Sequence, residues 1–327
     1  RAEKALVLLK NIDSVLARQS DTKTRGPIHR SLTTTQLRAL MTVVEHGSYS
    51  VAARRLQLAQ PTVHRAVHDA ERICGYKFFA KSPSGIEASW HAKQVARHIA
   101  LFFYELSQGL EEVEEHLGRM TGRLRIGCLP LARTQMVPRT AISLLDEFPE
   151  ARVSIVDGPY NEQLHALLHG SLDVIVGALR VPQPSTDIEQ TPLFRDFLSI
   201  VVRPGHPLEK ARSMSADELR NLNWIAPRQD TPAREAFTQF FESNGVSPPE
   251  HVIECSSLVA TRGMLMASER AALLSARQVE VDVRLGALKV SPLRLQGTSR
   301  EIGITRRKGW QPTLIQQRFL DRLAEHC

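Results

Sequence analysis

The chain has 327 residues, with 42 Lys and Arg against 35 Asp and Glu and a formal net charge of +7. That is too long for one small core, and it predicts a globular chain of two or three domains. No apolar run approaches the roughly 20 residues of a membrane-spanning helix, no secretory leader pattern opens the chain, and Cys74, Cys128, Cys255 and Cys327 lack paired spacing; this excludes the membrane-embedded and disulfide-framework classes and predicts a reducing, cytoplasmic compartment.

In chain order, residues 1–18 predict a helix with Leu6, Leu9, Ile12 and Leu16 on one side. Residues 19–31 are polar, contain Gly26 and Pro27, and read as a linker. Residues 34–45 predict a helix with Leu37, Leu40, Met41 and Val44 inward, closed by Gly47 as its C-cap. Ser50 can then cap a short helix whose small apolar face is Ala52, Ala53 and Leu56. After a break at residues 57–59 a second helix begins with Gln60, Pro61 and Thr62, where proline costs little because the N–H it lacks would go unpaired. Val63, Ala66, Val67, Ala70 and Ile73 form its buried stripe, and Gln60, Thr62, His64, Arg65, His68 and Asp69 the opposite, hydrogen-bonding face. Two short helices around a tight turn make a helix-turn-helix.

Residues 76–88 place Phe78, Phe79 and Ile86 around the sequence SPSG, which predicts a β-hairpin wing carrying Lys81. Residues 90–117 predict one long helix. Its apolar positions Val95, Ile99, Phe102, Leu106, Leu110, Val113 and Leu117 make a near-heptad seam suited to the same helix of a second subunit, with burial against its own domain as the plainer alternative. Gly109 weakens this helix locally. From Gly122 onward short strands alternate with helices, including strands at 124–128, 153–156, 172–176, 198–202, 224–226, 251–254, 271–274 and 302–305 and a closing helix at 313–326. Such alternation predicts parallel sheets covered by helices, and two such units place a ligand in the cleft between them. The charge is lopsided: residues 1–93 hold 15 Lys and Arg against 7 Asp and Glu, while the rest holds 27 against 28. A cationic head on a neutral body suits phosphate binding.

On these residues the chain resembles the LysR-type transcriptional regulators over about residues 32–327. The family signature is matched by Ala52, Ala53, Leu56, Gln60, Pro61, Val63, Glu71, Gly75 and Phe79, followed by the long helix and by GRLRIG at 122–127. The segments IVDGPY (155–160), VGALR (176–180) and PLFRD (192–196) are similar to the subgroup of galactose-binding-protein regulators. The resemblance implies an α/β chain: a winged helix-turn-helix at 32–89, a linker and dimerisation helix at 90–121, and a two-lobed, periplasmic-binding-protein-like effector domain at 122–327. Lobe I would take about 122–196 and 304–327, and lobe II about 197–303. It further implies linker-helix homodimers that assemble as tetramers, and leaves RNA polymerase open as a partner. The chain departs from the family at His64, where Ser is usual, at Lys81, where Arg is usual, and at residues 88–91, so no family operator sequence carries over. Residues 1–16 resemble the late part of a linker helix. Because some members carry a duplicated head, a second head upstream is expected, with an N-terminal extension packed on the first domain as the alternative.

The candidates for base or phosphate contact in double-stranded DNA are Gln60, Pro61, Thr62, His64, Arg65 and His68, with Thr33, Ser50, Arg54, Arg55 and Lys81 around them. The duller reading of each is a solvated helix face. For a small-molecule effector the candidates lie where strands end and helices begin: Pro130, Leu131, Ala132 and Arg133; Gly158, Pro159 and Tyr160; Arg228 and Thr231; Ser256 and Ser257. Free N–H groups there favour oxygen-rich ligands, a sugar and a small organic acid fitting equally, with ordinary helix capping as the duller reading of the serines. The rivals are an enzyme, or a ligand-binding protein without DNA, on the same scaffold. The sequence offers the enzyme no Gly-rich phosphate loop, nucleophile elbow or metal-spaced cluster; His165 and His169 share a helix face without a third ligand. No cofactor and no catalytic residue is expected.

Overall fold

The computed structural model describes residues 1–17, 27–83 and 85–326, which fall into two compact units: residues 1–121 with 168–171, and 122–167 with 172–327. The predicted linker residues 19–26, the end of the first helix at Arg18, Ser84 at the hairpin tip and Cys327 lie outside the described residues. Among the described residues no helix is long and apolar enough to cross a membrane.

The first unit is built from α1 (Ala2–Ala17), α2 (Thr34–His46), α3 (Tyr49–Leu56), α4 (Gln60–Cys74), a hairpin of β1 (Phe79–Ser82) and β2 (Gly85–Ala88), and α5 (Trp90–His116). Its helices start and stop where local chemistry dictates. Thr33 and Gln36 form a capping box at α2, and Gly47 ends that helix at φ +61°, a conformation that a side chain would strain. Ser48, not the expected Ser50, caps α3 by accepting the Val51 N–H; Ser50 is already one residue inside the helix. The core gathers Leu37, Leu40, Ala70, Phe78, Val95 and Ile99, and a neighbouring cluster joins Ala39, Val43, Ala52, Ala53, Val63 and Val67. The small side chains of α3 let α4 approach, as its sequence predicts.

Three expectations need correction here. Leu6 is 46% exposed, and α1 instead buries Ala5, Ile12 and Leu16. Residues 28–30, read as linker, form a 3-10 turn because His29 is buried, its Nδ1 2.6 Å from Asp13 Oδ2 and its N–H donating to Asp13 Oδ1. The seam of α5 is not one face. Val95 and Ile99 are fully buried in the unit's own core and Phe102 packs against it, whereas Leu106, Leu110, Val113 and Leu117 are exposed. Along the same helix Arg1 reaches Glu105 and Glu112, at 3.0 and 2.7 Å, and Lys4 lies 2.8 Å from Glu105. Gly109 permits this approach, because a Cβ there would sit 3.3 Å from Arg1 Cβ.

The second unit runs through β3 (Arg123–Cys128), α6 (Met136–Glu147), β4 (Arg152–Asp157), α7 (Tyr160–Leu168), β5 (Val174–Ala178), β6 (Ile188–Val202), α8 (Ala216–Arg220), β7 (Trp224–Ala226) and α9 (Pro232–Ser243). It continues with β8 (Val252–Glu254), α10 (Leu258–Met266), β9 (Ala271–Ser275), α11 (Glu280–Arg284), β10 (Lys289–Val290), β11 (Ser299–Arg307) and α12 (Leu314–Glu325). β4, β3 and β5 are parallel, as are β9, β7 and β8. The sheets are nevertheless mixed, because β6 and β11 enter antiparallel to their neighbours. β6 is far longer than the predicted strand at 198–202: its first part pairs with β11 in lobe I, and Leu198–Val201 pairs with β9 in lobe II. Both lobes therefore share continuous backbone. Lobe II centres on an edge-to-face cluster of Trp224, Phe237 and Phe241.

Glu71 joins the wing to α4. Its buried carboxylate accepts from the N–H groups of Phe78 (2.8 Å) and Phe79 (3.4 Å) and from Lys77 Nζ (3.0 Å). Glu71→Ala is expected to destabilise the wing by about 2 kcal/mol, since two buried donors lose a charged acceptor. Hydrogen exchange on the full chain checks this: the Phe78 and Phe79 amides should exchange about 30-fold faster, and unchanged protection would contradict it.

Candidate functional site

α4 presents its polar residues because its other side is committed to the core. Val63, Ala66, Val67 and Ala70 are buried, while Gln60, Pro61, Thr62, His64, Arg65 and His68 are exposed. Gln60, Pro61, His64, Arg65 and His68 line one shallow depression. The N-cap of α4 is Ala59, which supplies no side-chain hydrogen bond; Pro61 has no N–H, and the Thr62 and Val63 N–H groups donate to the Ala59 carbonyl at 3.0 and 3.2 Å. The preceding helix holds two of these side chains: Ser50 Oγ donates to Gln60 Oε1 at 3.2 Å, and the Tyr49 ring lies 5.0 Å from that of His64. Ser50 thus holds the Gln60 side chain rather than capping a helix. Thr33 is exposed but serves as the N-cap of α2; Arg54, Arg55 and Lys81 are exposed cations, the last on β1 of the wing.

Within the second unit a cavity of about 620 Å³ opens between the lobes. Of the predicted effector residues, Pro130, Leu131, Arg133, Gly158, Pro159, Tyr160, Arg228, Thr231, Ser256 and Ser257 all line it. Ala132 does not: it is fully buried, turned into lobe I. Arg133 Nη1 pairs with Asp157 at 2.9 Å and its Nη2 donates to the Ser256 carbonyl at 3.3 Å, so this arginine ties lobe I to lobe II. A second tie joins Gln135 Nε2 to Glu280 Oε2 at 2.8 Å. Thr231 and Ser257 cap α9 and α10 by accepting the N–H groups of Arg234 and Ala260. Their ordinary capping role is thus realised at helix ends that border the cavity.

Among the lining residues that escaped the sequence reading are Arg180, Arg300 and Gln278. Arg180 follows β5, and a cation just past a strand's C-terminal end was the available signal. Its guanidinium carbon lies 4.3 Å from the centroid of the Tyr160 ring. Burial lowers the Arg180 pKa and raises that of the Tyr160 phenol; the charge on Arg300 adds to the first effect, and Arg180 itself opposes the second. Arg300 donates from Nε and Nη2 to Asp196 Oδ2, both at 3.1 Å, and Asp196 Oδ1 accepts from Ser275 Oγ at 2.7 Å. Among the described residues no group of three or more His, Cys, Asp or Glu side chains could hold a metal ion, and His165 and His169 join none.

Comparison with known proteins divides the chain at α5. Residues 34–93 match the family model described as bacterial regulatory helix-turn-helix protein, lysR family, and residues 117–327 match the LysR substrate binding domain. The HTH-type transcriptional regulator GalR of Pseudomonas putida is 27% identical over 309 residues, covering 94% of this chain and 76% of that protein. The regulator PcaQ of Agrobacterium fabrum is 28% identical over 289 residues, covering 88% of this chain and 93% of that one. Full-length CbnR in complex with its target DNA superposes with a TM-score of 0.61 at 19% identity, covering 89% of this chain and 99% of that one, a likeness of fold.

Cys128 ends β3 beside the cavity, and burial pushes its thiol up to about 12. A group whose pKa stands that high carries almost no thiolate at neutral pH, and the thiolate is the nucleophile. Iodoacetamide at pH 8 on the native chain should therefore label the half-buried Cys255 and spare Cys128 until the protein is unfolded. Peptide mapping that finds Cys128 labelled first would contradict the assignment.

Proposed function

Because the chain belongs to the LysR family of transcriptional regulators, we propose that α4 and the wing are its DNA reader and that the cavity between the lobes takes the small molecule that controls it. The regulators it resembles are not enzymes. The observation that carries the DNA assignment is the division of α4 into a fully committed apolar side and an exposed side of Gln60, Thr62, His64, Arg65 and His68. Set in the major groove, these side chains meet base edges that distinguish all four base pairs. His64 presents an imidazole edge where the family usually has a hydroxyl, so its base preference differs. Arg54, Arg55 and Lys81 supply sequence-independent contacts to the backbone. CbnR, similar in fold, is known in complex with its target DNA.

The exposed apolar residues Leu106, Leu110 and Val113 of α5 and Leu117 at its C-cap support a homodimer through this helix, and tetramers and contact with RNA polymerase complete the proposed assembly of a cytoplasmic regulator. The effector modulates DNA binding or activation by changing how the lobes close, since Arg133 and Gln135 already span them.

Footprinting on the chain's own upstream region tests the reader. Gln60→Ala and Arg65→Ala are expected to lower discrimination between operator and random duplex by about 1–3 kcal/mol each. Lys81→Ala should weaken both duplexes alike and flatten the salt dependence; footprints unchanged in all three variants would remove the assignment. Leu110→Glu with Val113→Glu should convert the dimer to a monomer in light scattering, and an unchanged mass would exclude α5 as the interface.

A further inference from the structure

Three rings in the first unit form a short line that ends on the exposed face of α4. Phe79 lies on β1 of the wing, Tyr49 opens α3, and His64 stands on the outer side of α4. The ring centroids of Phe79 and Tyr49 are 6.1 Å apart, edge to face, and those of Tyr49 and His64 are 5.0 Å apart with the planes tilted by 48°. Both separations fall where aromatic pairs attract beyond the area they bury.

The middle and the end of this line differ in freedom. Tyr49 is half-buried and packs, with Phe79 and Ile86, against the core around Ala52 and Val63. Its backbone is set by Ser48, which caps α3 one residue earlier. Tyr49 is therefore a fixed platform. His64 is exposed, and among the described residues neither of its ring nitrogens has a hydrogen-bond partner. An exposed histidine without support turns between rotamers and presents a different edge in each. Against the Tyr49 ring it keeps one orientation, with both nitrogens left for the edges of bases. His68, one turn further along the same face, has no aromatic ring beside it among the described residues.

Base discrimination depends on that restraint. A donor or acceptor that arrives at a fixed point fits the pattern of one base pair, whereas a side chain free to turn satisfies several about equally. We infer that Tyr49 is a specificity-determining residue, a positioning residue that holds the His64 imidazole toward one base pair of the operator. This rests on α4 being the DNA reader.

Selection by the full chain from duplexes randomised around its own upstream site reads the preference at every base pair. His64→Ala is expected to flatten one base pair, which locates the pair that His64 reads. Tyr49→Leu keeps apolar bulk but removes the ring; it should lower discrimination at that same pair by about three- to tenfold and leave the pairs read by Gln60 and Arg65 unchanged. Tyr49→Phe should keep the parental profile, because burial and the Glu71 carboxylate raise the Tyr49 pKa and its hydroxyl carries no charge that Phe lacks. In the His64→Ala background Tyr49→Leu should have no further effect at that pair. If Tyr49→Leu does not fold, NMR of the parent chain decides: Overhauser contacts between the Tyr49 and His64 rings should be present before and after the duplex is added, and their absence would overturn the inference. It is also overturned if Tyr49→Leu leaves the profile unchanged, if it weakens every base pair alike as a merely structural residue would, if its effect survives without His64, or if His64→Ala flattens no pair. A parent chain with no preference at any base pair would overturn the reader assignment along with it; a parent that discriminates while Tyr49→Leu matches it overturns this inference alone.

Discussion

A helix that offers one side to a DNA groove must be held entirely by the other, and under the proposed assignment that constraint falls on α4. Its hold comes from Val63, Ala66, Val67 and Ala70, packed against α2 and the small residues of α3. Each buried methylene there is worth on the order of 0.8 kcal/mol. None of the polar side chains on the outer face is needed to keep the helix in place, so they are free to be chosen for base recognition. Glu71 extends the same hold to the wing from the inward side of the helix, and Ser50 and Tyr49 steady Gln60 and His64 from α3. The reader is therefore rigid in its backbone and restrained in two of its side chains, which lowers the ordering cost of binding.

The second unit solves a different problem. A ligand must be enclosed, yet able to enter, so two lobes need a connection that bends without breaking. β6 runs from one lobe into the other, and the Arg300–Asp196–Ser275 chain links β11, β6 and β9 at that passage. Arg180, which lines the same cavity, has no such ion-pair partner among the described residues. Arg133 and Gln135, which already reach across, show how few bonds need change for the lobes to respond to an added ligand.

Much of this was legible in the sequence, and the rest was hidden for physical reasons. α4 announces itself through Pro61 and an unbroken apolar spacing, and residues Pro130, Gly158, Tyr160, Thr231 and Ser257 gather at one cavity because strand ends in an α/β unit gather there. The front half of β6 was missed because Pro192 stands within it, opposite Gly303 at a register shift, and proline ordinarily argues against a strand. The turn at 28–30 was read as linker because the group that buries His29 is Asp13, sixteen residues earlier. Arg180 was passed over for a subtler cause: it stands out only through which carboxylates answer Arg133 and Arg300, pairings made between residues 24 and 104 positions apart. The α5 seam was half right, because periodicity identifies an apolar stripe and not the surface that covers each part of it.

The most direct test is an equilibrium titration of the wild-type chain against a fluorescent duplex from its own upstream region and a scrambled duplex of equal length, across a range of salt concentrations. A phosphate-gripping head that also reads bases should bind the upstream duplex by a factor of about 10³ or more over the scrambled one, with affinity for both falling linearly on a logarithmic salt scale. Equal affinity for the two duplexes, or affinity for neither in dilute buffer, would contradict the account.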